Sequence, residues 1–424
     1  MSISKWSHVF GLSLCLTFCF IQCNKTSSDP DLGRKDEQIF TILYTSDEHG
    51  WIEESETSDG AAKLSGLWKE QFSIRDSSIL ILSGGDNWTG PAIGTWSKGE
   101  AVVDVMNVMG YQASAIGNHE FDFDMDNLED RIGQATFTYI SANIRQKSDD
   151  SIPKWIQPYI IHTFGELSIG IIGLTTTSTP VTAFPKYVED LEFTPYIDAV
   201  EKILPDLKQK ETDMNILLAH VPASEMQIFA RELSNLNIPL VLCAHRHQNQ
   251  HITGEDIDFV ETGPYLQNYA RIELVYHAIL DSVINIFVSI EENQNGTEDS
   301  RVAQTVSFWQ DCVNAELDEV IGYTEESLNA DDPAVGNMIT DAWIGTISNT
   351  DIAFINLGGI RQGIPEGDIN KKTIWGVLPF ENHLIELTLT GVQVETILED
   401  QGESLTWAGL FKQDNNLHAG DMAI

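Results

Sequence analysis

Ala113-Ser114-Ala115-Ile116-Gly117-Asn118-His119-Glu120-Phe121-Asp122 is the stretch around which the chain is organised. The first four residues read as a short buried strand. Gly117 lets the backbone turn sharply, and polar side chains follow at the C-terminal end of the strand. In open α/β sheets that end is where ligands bind. Asn118 offers an amide oxygen, His119 an imidazole, and Asp122 a carboxylate able to hold that imidazole. These groups can bind a divalent metal and protonate a leaving oxygen.

The same design recurs on both sides. Upstream, the apolar run Ile39 to Tyr44 delivers Thr45-Ser46-Asp47-Glu48-His49-Gly50, and Ile79 to Leu82 delivers Ser83-Gly84-Gly85-Asp86. Downstream, Met214 to Leu218 is a strand with His220 just past its end, and Ile238 to Cys243 runs into Ala244-His245-Arg246-His247. Thr138 to Ser141, Leu167 to Leu174, Ala270 to Tyr276 and Val283 to Ile290 read as further strands. Gly99 to Gly110 reads as a helix with Val102, Val103, Met106 and Met109 on one face and Gly110 as its stop. Ser224 to Leu236 reads as a helix with serine at its start. Strands alternating with helices predict a layered α/β sandwich. Gln304 to Leu317 reads as a helix or linker into a second unit that begins near Val320. That unit holds a helix at Gly336 to Ala342, a strand at Ile352 to Ile355, then Asn356-Leu357-Gly358-Gly359-Ile360-Arg361 and Val377-Leu378-Pro379-Phe380. The expected divisions are residues 1–38, 39–300, 301–319 and 320–424.

With 424 residues the chain is long enough for two cores. A formal net charge of -40 disfavours a nucleic-acid polymer as partner, because phosphates are repelled. It allows a small anionic substrate, since bound cations invert the local field. The N-terminus reads as a targeting segment: Lys5, then an apolar run from Val9 to Ile21 that is too short to span a bilayer. Cys23 follows, then a polar tether from Asn24 to Gln38. A cysteine directly after such a run resembles a bacterial lipoprotein processing site, with cleavage and release or a retained anchor as alternatives. Each places the folded part outside the cytoplasm, in a periplasm or at an outer surface. Cys243 and Cys312 lie beyond that segment, and Cys243 reads as a small core residue.

Singly, each aspartate could cap a helix or fold a turn, and Asp-x-His alone is a weak signal. Together, Asp47, His49, Asp86, Asn118, His220, His245 and His247 make one oxygen/nitrogen donor set. It suits Zn, Mn, Fe or Co rather than a calcium cage. Seven donors are too many for one tetrahedral ion. A pair of ions about 3.5–4 Å apart uses them, with a carboxylate shared between the two, and Asp86 is the expected bridge.

These motifs, Asp-x-His, Gly-Asp, Gly-Asn-His-Glu-Phe-Asp, a lone His and a final His-x-His, resemble the calcineurin-like metallophosphoesterases. The long forms GGDNWTGPAIG and GNHEFDF, followed by NLGGIR and PF, resemble the secreted 5′-nucleotidase/UDP-sugar hydrolase family. The resemblance runs from about Ile39 to the last residue. It implies a four-layer α/β/β/α sandwich followed by a second α/β domain. It implies one ion on Asp47, His49, Asp86 and His247, and a second on Asp86, Asn118, His220 and His245. The pair would lower the pKa of a water to about 7 for attack on phosphorus, with Asn118 steadying a phosphoryl oxygen and His119 and Asp122 as a catalytic dyad. It also implies that Arg361 binds substrate, that Phe380 stacks a nucleobase, and that Asn356, Gly358 and Gly359 belong to the same substrate loop. Two features depart from the family pattern. Ser327 to Val335 carries no arginine but holds two adjacent aspartates, and the chain ends at Ile424, so a partial C-terminal domain is expected. The expected activity is hydrolysis of phosphate esters of nucleotides or related small molecules. A sulfur-ester hydrolase like the thiosulfohydrolases, or a surface binding protein that has lost catalysis, are the other readings.

Overall fold

The computed structural model describes residues 36–72, 78–413, 416–419 and 422–423. The targeting segment, Cys23 and most of the tether lie outside the described residues. Strands β1 (Glu37–Thr45), β2 (Ile79–Ser83), β3 (Ala113–Ala115) and β4 (Thr138–Ile140) run parallel side by side. A short strand, β5 (Ile144–Gln146), follows. The chain then builds a second sheet from β6 (Tyr159–Phe164) and β7 (Leu167–Thr175), and β8 (Leu191–Phe193) returns to pair with β5. The second sheet continues with β9 (Met214–His220), β10 (Leu240–Cys243), β11 (Asn249–Gly254) and β12 (Ile257–Thr262), in the order β11-β12-β10-β9-β7-β6. Finally β13 (Asn268–His277) and β14 (Ser282–Glu292) go back to the first sheet, whose order is β14-β13-β1-β2-β3-β4.

Residue alternation fixes how the layers stack, because successive strand side chains point to opposite faces. Ile42, Leu80, Leu82, Ile169, Ile171, Ile216, Leu218 and Leu242 form one shared core between the two sheets. Their neighbours Leu43, Ile79 and Ile81 pack outward against helices Gly60–Gln71, Glu100–Met109 and Ser300–Leu317. On the far side, Ile172, Leu217, Val241 and Cys243 pack against helix Tyr196–Gln209 and the turns around Met226 and Leu233. Central strands buried on both faces require continuous apolar runs, and these strands have them. The result is the expected α/β/β/α sandwich.

Several local expectations shift. Helix Glu100–Met109 is closed at both ends by left-handed glycines, Gly99 at φ 85° and Gly110 at φ 90°. The helix expected over Ser224 to Leu236 is broken into Ala223–Met226, a 3₁₀ turn at Gln227–Phe229, and Ala230–Asn235. Pro222, not Ser224, precedes it, and no side chain caps it. β9 runs on through Ala219, so His220 is its last residue rather than just past its end. Helix Ser300–Leu317 is no free linker, since Val302, Val306, Trp309, Val313 and Leu317 are buried in the first sheet's outer core. Cys243 is buried and unpaired, a small core residue.

The C-terminal unit is smaller. β15 (Val320–Thr324) pairs with β17 (Gly367–Asn370), and β16 (Ala353–Asn356) pairs with β18 (Leu405–Ala408). Helix Pro333–Thr346 is capped by Asp332 and packs Val335 and Ile339 against Ile355, Ile360, Ile364 and Val377. The run Glu381 to Thr390 has no regular secondary structure and is exposed at every residue, including Leu384, Ile385 and Leu387.

Candidate metal centre and active site

Every candidate ligand sits at the C-terminal end of a parallel strand: Asp47 and His49 after β1, Asp86 after β2, Asn118 after β3, His220 at the end of β9, and His245 and His247 after β10. β1, β2 and β3 belong to one sheet, β9 and β10 to the other. The two sheets therefore bring their loop sets together over the shared core. Five of these residues adopt a left-handed backbone: Asp47 (φ 53°), His49 (φ 47°), Asp86 (φ 58°), His245 (φ 83°) and His247 (φ 57°). Such conformations are uncommon outside glycine and cluster at functional sites.

The side chains converge. Donor atoms of Asp47, His49 and His247 lie within 4.8 Å of one another, as do those of Asp86, His220 and His245. Asp86 joins the groups: its Oδ2 is 3.8 Å from His49 Nε2 and 3.0 Å from His220 Nε2. His247 Nε2 stands 3.7 Å from Asp47 Oδ1 and 3.1 Å from His49 Nε2. His49 donates through Nδ1 to the Thr89 carbonyl, and His220 through Nδ1 to the Gly84 carbonyl, each at 2.8 Å. Both rings are thus oriented with Nε2 toward the carboxylates, the way metal-binding histidines are held.

The donor set fits divalent cations. Asn118 Oδ1 is buried and makes no hydrogen bond within the protein, a costly arrangement that a cation would relieve. Burial lowers His245 to about 3, with repulsion from His220 adding to it, and lowers His247 to about 4, with Arg361 adding to it. These imidazoles are neutral and keep a lone pair to donate. Burial raises Asp47 above the usual carboxylate range, offset by His220 and reinforced by Asp86. Burial also opposes ionisation of Asp86, but His220, His119 and His49 outweigh it and hold that carboxyl well below the usual range.

His119 stands at the edge of this cluster. Its backbone N–H donates to Asp86 Oδ1 at 2.8 Å, and its Nδ1 is 2.7 Å from Asp122 Oδ2. Burial disfavours the imidazolium, yet Asp122 and Asp86 together raise its pKa. The C-terminal unit closes over the other side of the ring. Arg361 Nη2 lies 3.4 Å from His119 Nε2, and Phe380 stacks on His119 with centroids 5.3 Å apart. Arg361 in turn rests over the Phe380 ring at 5.2 Å. Asn356 ends β16, and Gly358 and Gly359 form the 3₁₀ turn that leads to Arg361.

Three glutamates that sequence reasoning passes over hold the loops. Glu120 accepts from the backbone N–H groups of Asp86 (2.9 Å), Asn87 (2.7 Å) and Gly117 (2.6 Å), tying the β2 and β3 loops together. Glu48 accepts from Thr45, Ser83 and Asn87 side chains, tying the β1 and β2 loops. Glu261 accepts from the N–H groups of Ala223, Arg246 and Gln248, tying β12 to the His-x-His loop. All three are buried. Gly117 is required beside them, since a Cβ there would sit 2.1 Å from Asp86 Oδ1. Glu120→Gln is expected to destabilise the protein by about 2–4 kcal/mol, because its amide NH₂ cannot accept and leaves a buried N–H unpaired. Chemical denaturation of the cation-free protein checks it.

Comparison with known proteins now decides the family. Residues 40–249 match the calcineurin-like phosphoesterase model, and residues 313–420 match the 5′-nucleotidase C-terminal domain model. The chain belongs to the calcineurin-like metallophosphoesterases with a 5′-nucleotidase C-terminal domain. Protein UshA of Escherichia coli is 26% identical over 96% of this chain and 84% of its own. The snake venom 5′-nucleotidase of Gloydius brevicauda is 29% identical over 85% of this chain and 69% of its own. The fold matches a 5′-nucleotidase precursor from Thermus thermophilus with a TM-score of 0.75 at 23% identity, over 88% and 82% of the two chains. This metallophosphoesterase is therefore a metal-dependent phosphoric ester hydrolase.

Proposed function

We propose that this metallophosphoesterase removes phosphate from nucleotides, using two divalent cations held on either side of Asp86. The observation that carries this is the convergence of the donor groups around one shared carboxylate, with His119, Arg361 and Phe380 facing the same space. Asp47, His49, Asp86 and His247 would hold one cation, and Asp86, Asn118, His220 and His245 the other. Mn, Zn, Co and Fe all suit the donors. Such a pair supplies Lewis-acid charge for the phosphoryl group and lowers the pKa of water to about 7.

The chain's own residues supply the rest. Asp122 fixes the His119 ring through Nδ1 and stabilises its protonated form. His119 then presents an N–H at Nε2 to the ester oxygen on which negative charge builds as the P–O bond breaks. Arg361 points its guanidinium into the same space and suits a phosphoryl oxygen. Phe380, stacked on His119 and lying under Arg361, offers its ring to the leaving nucleoside. Asn356, Gly358 and Gly359 shape the loop that carries Arg361. The whole is an exported enzyme, tethered through Cys23. Among the described residues no helix is long and apolar enough to cross a membrane.

Phosphate release from AMP, UDP-glucose and 2′,3′-cyclic nucleotides with added Mn²⁺ tests the proposal. Turnover of a nucleotide supports it. Inertness toward all three with cations bound would refute it. Arg361→Ala is expected to raise KM about 10–100-fold, the loss of one charge-assisted contact of roughly 1.5–3 kcal/mol, read from steady-state kinetics on AMP.

A further inference from the structure

We infer that Tyr265 is a positioning residue for the cation held by Asp47, His49 and His247. This rests on the two-cation reading above. After β12 the chain makes a turn in which two consecutive bulky residues, Tyr265 (φ 64°) and Leu266 (φ 52°), are both left-handed. For such residues that conformation is a genuine outlier, and it persists only where the surroundings over-determine it.

The surroundings do so. The Tyr265 N–H donates to the Asp47 carbonyl at 2.9 Å. The Leu266 carbonyl accepts from Ser58 Oγ at 2.8 Å and from Asn293 Nδ2 at 2.9 Å, and the Leu266 side chain is buried in the first sheet's outer core. These contacts aim the phenol ring at the site. Its centroid is 5.9 Å from His49 and 5.5 Å from His247, edge-on to both. Trp51 backs it at 5.1 Å. One ring thus touches two ligands that come from opposite sheets. His49 and His247 also pack on each other, with centroids 5.0 Å apart, as His220 and His245 do at 5.2 Å, but the Tyr265 ring adds a flank to the first pair.

The consequence is selective. Without the Tyr265 ring, His49 and His247 lose a flank they share, while His220 and His245, which pack on each other, keep theirs. Supporting groups behind metal ligands typically carry about 10–100-fold in metal affinity. The edge contacts need the ring, not the hydroxyl, so phenylalanine serves as well as tyrosine.

The test is Mn²⁺ titration of the chelated full chain by calorimetry, with electron paramagnetic resonance at fixed free Mn²⁺. Wild type is expected to bind two ions and give the signal of a spin-coupled pair. Tyr265→Ala is expected to weaken one binding event about 10–100-fold, leave the other unchanged, and show a single-ion signal; Tyr265→Phe is expected to match wild type. Circular dichroism of each cation-free variant confirms folding. Two unweakened ions in Tyr265→Ala, equal weakening of both, or loss of one ion in Tyr265→Phe would overturn the inference. A wild-type chain that binds no Mn²⁺ would instead overturn the two-cation reading itself.

Discussion

Asp86→Asn is expected to lower kcat/KM at least about 10³-fold and to leave the purified protein short of cations. Asp86 lies within reach of both histidine groups, 3.8 Å from His49 and 3.0 Å from His220. An amide keeps its size and one oxygen, so the loops have little reason to move. What is lost is the charge that would balance the two proposed dications in a buried setting. Lewis-acid stabilisation of the phosphoryl transition state is worth several kcal/mol, and each ~1.36 kcal/mol is tenfold in rate. Asp86 Oδ1 accepts the His119 backbone N–H at 2.8 Å, and an asparagine oxygen can still accept it, so the loss is one of charge. Steady-state kinetics and elemental analysis on one preparation check both parts. Full activity with full metal content would contradict the expectation.

His119→Ala should behave differently. The ring does not complete either of the two proposed cation groups, so metal content should stay at the wild-type level. The rate on AMP is expected to fall about 10²–10⁴-fold, the usual contribution of a positioned proton donor. The size of the loss should depend on the leaving group. A nucleoside 5′-oxygen needs a proton as it departs, whereas the nitrophenolate of p-nitrophenyl phosphate leaves without one. The variant should therefore be impaired far less on the aryl ester. Equal loss on both substrates would assign His119 to binding the phosphoryl group instead. Asp122→Asn should follow the same pattern more weakly, because Asp122 acts through the ring it holds at 2.7 Å.

How far the sequence can be read follows from what each kind of residue advertises. Strands such as Ile79–Ser83 and Leu240–Cys243 are buried on both faces and announce themselves as unbroken apolar runs. Histidines placed directly after such runs are hard to account for as core packing, so the donor set is legible in the sequence itself. The left-handed backbone at Asp47, His49, Asp86, His245 and His247 is not, since non-glycine residues give no signal for it. Nor are the roles of Glu48, Glu120 and Glu261. In a chain with 64 acidic residues a single glutamate carries no mark of being buried among backbone N–H donors. Glu48 and Glu120 do lie inside the ligand motifs, and that position is the one available hint. Tyr265, in the stretch Gly263-Pro264-Tyr265, gives no local sign of its place beside two histidines. The helix expected over Ser224 to Leu236 gives way because amphipathic spacing does not reveal a 3₁₀ interruption.

The C-terminal unit is legible in outline only. Arg361 meets His119 across 242 residues of sequence through one 3.4 Å contact, and Phe380 meets it through one ring stack. Nothing local in the sequence specifies that meeting. It depends on helix Ser300–Leu317 being packed into the first core, which fixes where the second unit starts.

Anomalous diffraction from crystals of the Mn²⁺-loaded chain tests the central claim most directly. Two peaks are expected about 3.5–4 Å apart, flanking the Asp86 carboxylate, one beside Asp47, His49 and His247 and the other beside Asn118, His220 and His245. A single peak, or peaks away from Asp86, would contradict it.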